Sequence, residues 1–162
     1  MQKDTITIYT DGAAKGNPGR AGFGAVFIID KKVFEIGGGV NHATNNQMEL
    51  TAPIEALKYL KKLPVIPAGV VLAGDIEIIS DSKYVILGIT EWIFNWQKNN
   101  WRNANKKPVL NRELWEELYK LTEELKPKWT YVKGHNEDRY NDRADLIATS
   151  FAEGVGVELK NK

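Results

Sequence analysis

The period at which apolar residues recur changes partway along the chain, and that change limits the architectures open to it. Thr5-Ile6-Thr7-Ile8-Tyr9 alternates with the two-residue period of a strand, and Phe23 to Ile29 is an apolar run of strand composition. Asp30-Lys31-Lys32 turns the chain, and Val33 to Gly37 reads as a third strand paired with the second. Ala13 to Gly24, with five glycines or prolines, reads as the loop inside this meander. From Leu50 the spacing becomes helical: Leu50, Ile54, Leu57 and Leu60 lie three or four residues apart. Thr44 and Gln47 have the spacing of a capping box, which starts that helix and puts Glu49 near its first turn. Pro53 has no N–H for the carbonyl of Glu49, so a kink or a late helix start is expected there.

Lys61 to Gly74, with Pro64, Pro67 and two glycines, reads as a loop. Asp75 to Ser80 reads as a buried strand, and Asp81-Ser82-Lys83 as the start of a helix through Tyr84, Val85 and Leu87. Asn111 is placed to cap a helix carrying Leu114, Trp115, Leu118, Leu121 and Leu125, which Pro127 ends. Trp129 to Val132 is the last expected strand, and Asn141 is placed to cap a final helix through Phe151. Strands followed by alternating helices and strands indicate an α/β fold with at least one parallel pairing. One domain over residues 1–162 is expected, since this length and 43% hydrophobic content suit one core.

Charge and composition exclude several functional classes. With 22 basic and 21 acidic residues the net charge is +1, so no global field draws the chain to nucleic acid or to an acidic membrane. The absence of cysteine rules out disulfides, thiolate metal sites and a cysteine nucleophile. No apolar run near the first strand is long enough for a signal peptide or a membrane span, and a cytoplasmic monomer is the expectation.

Carboxylates stand where ligands collect in such folds. Asp11 lies just past the first strand, Asp81 at the end of the fourth, Glu49 early in a helix, and Asp145 in the last helix. Singly, each reads as a cap, a turn or a solvated surface group. Clustered, four carboxylates repel one another and raise their pKa values unless cations sit among them. Oxygen-only ligands favour Mg²⁺, with Mn²⁺ as a substitute, and two such ions about 4 Å apart suit in-line phosphodiester cleavage.

Motifs in order narrow the reading. Tyr9-Thr10-Asp11-Gly12, Gly16-Asn17-Pro18-Gly19, Thr44 to Leu50, Ser80-Asp81-Ser82, and Val132-Lys133-Gly134-His135 followed by Asn141 and Asp145 together resemble a type 1 ribonuclease H of the bacterial kind. The resemblance runs from about residue 5 to about residue 152. It implies a ribonuclease H-like fold, a mixed five-stranded sheet flanked by helices. The activity it implies is two-metal-ion hydrolysis of the RNA strand of RNA/DNA hybrids, leaving 5′-phosphate and 3′-hydroxyl ends. On the same basis Asp11, Glu49, Asp81 and Asp145 are metal ligands, and His135 is a loop histidine that aids proton transfer and product release. Asn17, Thr44, Asn45, Asn46 and Lys83 are implied as substrate contacts, the asparagines reading the minor groove where the RNA 2′-hydroxyl marks the strand to cut.

A basic, aromatic segment supplies the rest of the expected substrate surface. Trp96 to Arg112 carries Lys98, Arg102, Lys106, Lys107 and Arg112 and no acidic residue, and subtracting this +5 from the overall +1 leaves the other residues at −4. Trp92, Trp96 and Trp101 interleave with it. They read either as packing for the segment or, as the resemblance implies, as part of a basic protrusion gripping the DNA strand. The sequence departs from the common bacterial pattern in the longer stretch Pro64 to Asp75 and in the acidic run Asn136-Glu137-Asp138-Arg139-Tyr140. With four residues before the first strand, no attached hybrid-binding module is expected. A junction resolvase or transposase-like nuclease stays open as a rival, since these also use carboxylates and metal. A non-catalytic binding module would keep the basic segment but have no use for the carboxylates.

Overall fold

The computed structural model describes residues 5–62, 75–134 and 138–160. Three long antiparallel strands come first: β1 (Ile6–Lys15), β2 (Gly19–Ile29) and β3 (Lys32–Ala43). The expected loop over Ala13 to Gly24 is mostly strand, because small residues that read as breakers pair across the hairpin, Ala13 with Gly22 and Asp11 with Gly24. Only Gly16-Asn17-Pro18 turns, with Gly16 at a φ of 89°. Helix α1 (Asn45–Lys62) follows, then β4 (Ile76–Ser80), α2 (Lys83–Leu87), a π-helical turn (Gly88–Trp92) and α3 (Ile93–Lys98). Helix α4 (Arg112–Leu125), β5 (Lys128–Tyr131) and α5 (Arg139–Ala152) complete the order. The sheet runs β3-β2-β1-β4-β5, with β1–β4 and β4–β5 parallel, so the mixed five-stranded expectation holds. Of the expected loop from Lys61 to Gly74, Lys61 and Lys62 instead end α1, and residues 63–74 lie outside the described residues.

Helix boundaries follow local chemistry. The capping box forms: the Thr44 N–H donates to Gln47 Oε1 at 2.9 Å, and the Gln47 N–H donates to Thr44 Oγ1 at 3.1 Å. Helix α1 runs without interruption through Pro53, so the late start expected from that residue does not occur. Two cap assignments change. Asn111 precedes α4 in a left-handed conformation without a side-chain capping bond. Helix α5 begins before Asn141, because Asp138 accepts from the N–H groups of Tyr140 and Asn141.

The sheet is covered on both faces. Ile6, Ile8 and Phe27 join Leu50, Leu57, Trp115 and Leu118 in the main core, while Val26 packs with Ala144 and Ile147 of α5 on the other face. Gly24 sets the spacing of that second layer: an added Cβ would lie 2.7 Å from Ile147 Cβ and 2.8 Å from the Ala144 carbonyl oxygen. Helix α5 is also tied to β3. Glu35, 2% exposed, receives Arg143 Nε at 2.8 Å and Nη2 at 3.0 Å. Desolvation pushes the Glu35 carboxyl up, but the hydrogen bonds from Arg143 and from the Lys160 N–H outweigh it and hold the carboxyl below its ordinary range.

Alanine suits a strand better than glycine does, so propensity alone makes Gly24→Ala favourable. Overpacking against backbone decides the sign instead. The substitution is expected to destabilise the protein by about 2 kcal/mol in urea unfolding, without changing the slope.

Candidate active site

Strand β1 and helix α1 meet here because their backbones come unusually close. Gly12 follows Asp11 on β1, and a Cβ there would lie 2.4 Å from both the Glu49 nitrogen and the Met48 carbonyl carbon. With no side chain in the way, the first turns of α1 rest directly on β1. The Gly12 N–H donates to both carboxylates, at 3.0 Å to Asp11 Oδ1 and 3.2 Å to Glu49 Oε1. Asp81 enters from the end of β4, where Ser82 caps α2 by accepting the Val85 N–H at 3.2 Å. Asp11, Glu49 and Asp81 each bring an oxygen within 4.8 Å of the others. Asp145, exposed on α5, is not part of that triad but is near enough to Asp11 to raise its carboxyl. His135, Asn136 and Glu137 lie outside the described residues.

The electrostatics of the cluster call for positive charge. Burial pushes the Asp11 carboxyl far above the carboxylate range, and Glu49, Asp81 and Asp145 add to the shift. Burial also raises Glu49, as do the charges of Asp81 and Asp145, while the hydrogen bonds to Asp11 and Gly12 pull the other way. Glu49 Oε2 is buried with no hydrogen-bond partner. An acceptor in that position, among acids and with no nitrogen or sulfur ligand in the cluster among the described residues, fits a hard oxygen-seeking cation.

Around the cluster opens a polar cleft of about 480 Å³, lined by Gly12 to Lys15, Asn45, Asn46, Glu49, Asp81, Ser82 and Thr149. Asn45 and Asn46 are thus beside the carboxylates, and both are exposed. Asn17 supports them by accepting the Asn45 N–H at 3.0 Å, whereas the Thr44 hydroxyl accepts the capping bond of α1. Lys83 is exposed just past Asp81, its Nζ 5.6 Å from the centre of the Tyr131 ring.

The basic segment forms a second surface. Trp92, Trp96 and Trp101 line up with ring centres 6.0 and 6.2 Å apart, and Trp96 contacts the fully buried Trp115 at 5.3 Å. Their packing role is therefore real. Trp92 and Trp96 also line a cavity of about 360 Å³ with Asn95, Asn99, Arg102 and Asn103, so they are available to a ligand as well. Lys98, Arg102, Lys106 and Lys107 are exposed. Asn103 Oδ1 orders the loop by accepting from the N–H groups of Asn105 and Lys107.

Several contributors were not singled out as site residues from sequence. Gly12 appeared only as half of a motif, although an Asp-Gly pair at a strand end is a signal for close approach. Thr149, four residues after Asp145, shares its helix face and could have been found by that spacing. Asn111 has no such signal. Its Oδ1 accepts from Gln47 Nε2 at 3.4 Å and its Nδ2 donates to the Tyr84 hydroxyl at 3.1 Å. The Tyr84 hydroxyl also accepts from Trp115 Nε1 at 3.1 Å, so a chain of polar contacts joins the capping box of α1 to the aromatic stack.

Known proteins match this arrangement. The RNase H family model matches residues 3–153. A ribonuclease H of Cupriavidus necator is 44% identical over 151 residues, which are 93% of this chain and 97% of that protein. A ribonuclease H of Thermosynechococcus vestitus is 46% identical over 154 residues, 94% of this chain and 92% of that one. Among solved structures, LC9-RNase H1 superposes with a TM-score of 0.81 at 21% identity, over 100% of this chain and 79% of that one. LC11-RNase H1 bound to an RNA/DNA hybrid superposes with a TM-score of 0.66 at 24% identity, over 93% of this chain and 98% of that one. At these identities the two structures speak for the fold.

Raised carboxyl groups make two effects measurable. The folded metal-free protein holds protons that the unfolded chain releases, so its stability falls as pH rises from the ordinary carboxylate range toward the raised values of Asp11 and Glu49. Asp11→Asn removes the repulsion. It should raise the metal-free Tm at pH 8 by roughly 3–6 °C, the effect of about 1–2 kcal/mol in a domain of this size, and flatten its pH dependence. Mg²⁺ titrations of the unaltered protein in buffers of different ionisation enthalpy should show proton release.

Proposed function

The chain belongs to the ribonuclease H family, and from that premise we propose that it is a metal-dependent endonuclease hydrolysing the RNA strand of RNA/DNA hybrids. The observation that carries the reading is the triad of buried Asp11 with half-buried Glu49 and Asp81, the latter two lining a cleft together with Asn45 and Asn46. Asp11, Glu49, Asp81 and Asp145 would hold the ions, with Mg²⁺ as the physiological metal and Mn²⁺ as a substitute. When bound, a pair of such ions supplies an activated water and stabilises charge on the leaving oxygen. Attack on phosphorus breaks the bond to the 3′ oxygen and leaves a 5′-phosphate and a 3′-hydroxyl.

The protein's own groups do the rest. The Gly12 N–H fixes the facing oxygens of Asp11 and Glu49, so the ligands are held before substrate arrives. Asn45 and Asn46 each present a donor and an acceptor at the cleft, the combination a 2′-hydroxyl requires, and Asn17 steadies the backbone between them and the β1–β2 turn. Thr44 sets the start of that helix and Lys83 adds positive charge past Asp81. Trp92, Trp96 and Trp101 with Lys98, Arg102, Lys106 and Lys107 are assigned to the DNA strand, where phosphate contacts give affinity and orientation with little sequence preference. His135 is assigned to proton transfer and product release on the family resemblance. The reading is of one domain acting as a monomer in the cytoplasm, and the triad draws on a single chain.

Labelled RNA/DNA hybrid, double-stranded RNA and double-stranded DNA of one sequence test this directly, each with Mg²⁺ and with chelator. Cleavage is expected in the RNA strand of the hybrid alone, and only with metal. Equal cutting of all three, or cutting in chelator, would overturn the proposal. Asp11→Asn should lose cleavage while binding hybrid normally. Replacing Lys106 and Lys107 together by Ala should weaken hybrid binding and make its log–log salt slope shallower by roughly two.

A further inference from the structure

Asp145 differs from the other three carboxylates in how it is held. Asp11, Glu49 and Asp81 stand at a strand, at a helix laid on that strand, and at a strand end, and they form one compact group. Asp145 is exposed, and its place depends on how α5 lies on the sheet. Ala144 and Ile147 rest over a strand kept bare at Gly24, so α5 lies close to the sheet and small changes in its seating move Asp145.

Two residues before Asp145 the helix is locked. Arg143 reaches the buried Glu35 of β3 with two nitrogens, and its Nη2 also donates to the Glu158 carbonyl at 2.9 Å. The segment after α5 folds back to complete this site. Val155 donates to the Ser150 carbonyl and Val157 to the Ser150 hydroxyl, and Val157 and Leu159 pack with the α5 cluster. Lys160 then pairs with Glu35, its N–H on the Glu35 side chain at 2.9 Å and its carbonyl accepting the Glu35 N–H. Side chains at 143 and 145 leave a helix about 200° apart, so the lock and the ligand are on opposite sides of α5. A rotation that frees Arg143 turns Asp145 away from Asp11.

We propose that Glu35, Arg143 and the segment from Val155 to Lys160 form a clasp that sets the rotation and register of α5 and so delivers Asp145 to the metal site. Glu35 and Arg143 are positioning residues, 35 on the far sheet edge and 143 on the back of the helix. The inference rests on the assignment of Asp145 as a metal ligand. A buried, doubly bonded ion pair is suited to such a task because it specifies one arrangement more than it adds stability.

Titration of the full chain with Mn²⁺ alone, read by electron paramagnetic resonance, tests the clasp in a double-mutant cycle. Asp145→Asn should weaken Mn²⁺ binding. Glu35→Gln should weaken it by about tenfold when Asp145 is present, and change it by no more than about twofold in the Asp145→Asn background. Hybrid binding in chelator should stay constant throughout. Arg143→Lys keeps the charge but not the fork, and is read the same way if Glu35→Gln does not fold. Unaltered Mn²⁺ affinity in the folded clasp variants, or equal losses in both backgrounds, would overturn the clasp. An unchanged affinity in Asp145→Asn would overturn the site assignment and the clasp with it.

Discussion

Contact between helix backbone and sheet backbone, with no side chain between them, is the condition on which this active site depends. At Gly12 the sheet touches α1, and at Gly24, directly opposite Asp11 in the β1–β2 pairing, it touches α5 on the other face. Carboxylates are short. Asp11 and Glu49 can share one N–H only because their backbones are already adjacent. The cluster is therefore a product of packing, in which apolar burial through Leu50, Leu57, Val26 and Ile147 holds together groups that repel one another.

That opposition explains the division of labour across the surface. The cluster concentrates negative charge where a polyanion must approach, while the basic segment concentrates positive charge on a separate element. Hybrid affinity and bond cleavage are accordingly assigned to different parts of the chain. Trp115 anchors the gripping side through the ring stack, and the capping box anchors the cutting side through Glu49 and its neighbours.

Much of the layout was legible because periodicity and caps are local. The capping box at Thr44 and Gln47 formed as its spacing indicated, and the strand ending at Ser80 delivered Asp81 to the expected end of the sheet. Local rules failed where distant partners decided. Glycines between Ala13 and Gly24 looked like loop, yet they are strand residues whose bareness serves helices far away in sequence. Asn111 looked like a cap, but Gln47 and Tyr84 claim its side chain. Asp138 took the capping role given to Asn141, since a carboxylate earlier in the loop reaches the first free N–H groups. Of the site, the grouping of Asp11, Glu49 and Asp81 agrees with the ordered motifs. The clasp proposed to place Asp145 was not legible there, because it joins Glu35 to Arg143, more than a hundred residues apart.

The polar chain from Gln47 through Asn111 and Tyr84 to Trp115 has a mechanical meaning. It ties the helix that presents Glu49, Asn45 and Asn46 to the stack that presents Trp92 and Trp96, so the two surfaces cannot drift apart independently. On the proposed reading, a duplex spanning both would meet two supports tied to each other, as between the jaws of a calliper, and the width between its strands would matter more than the identity of any base.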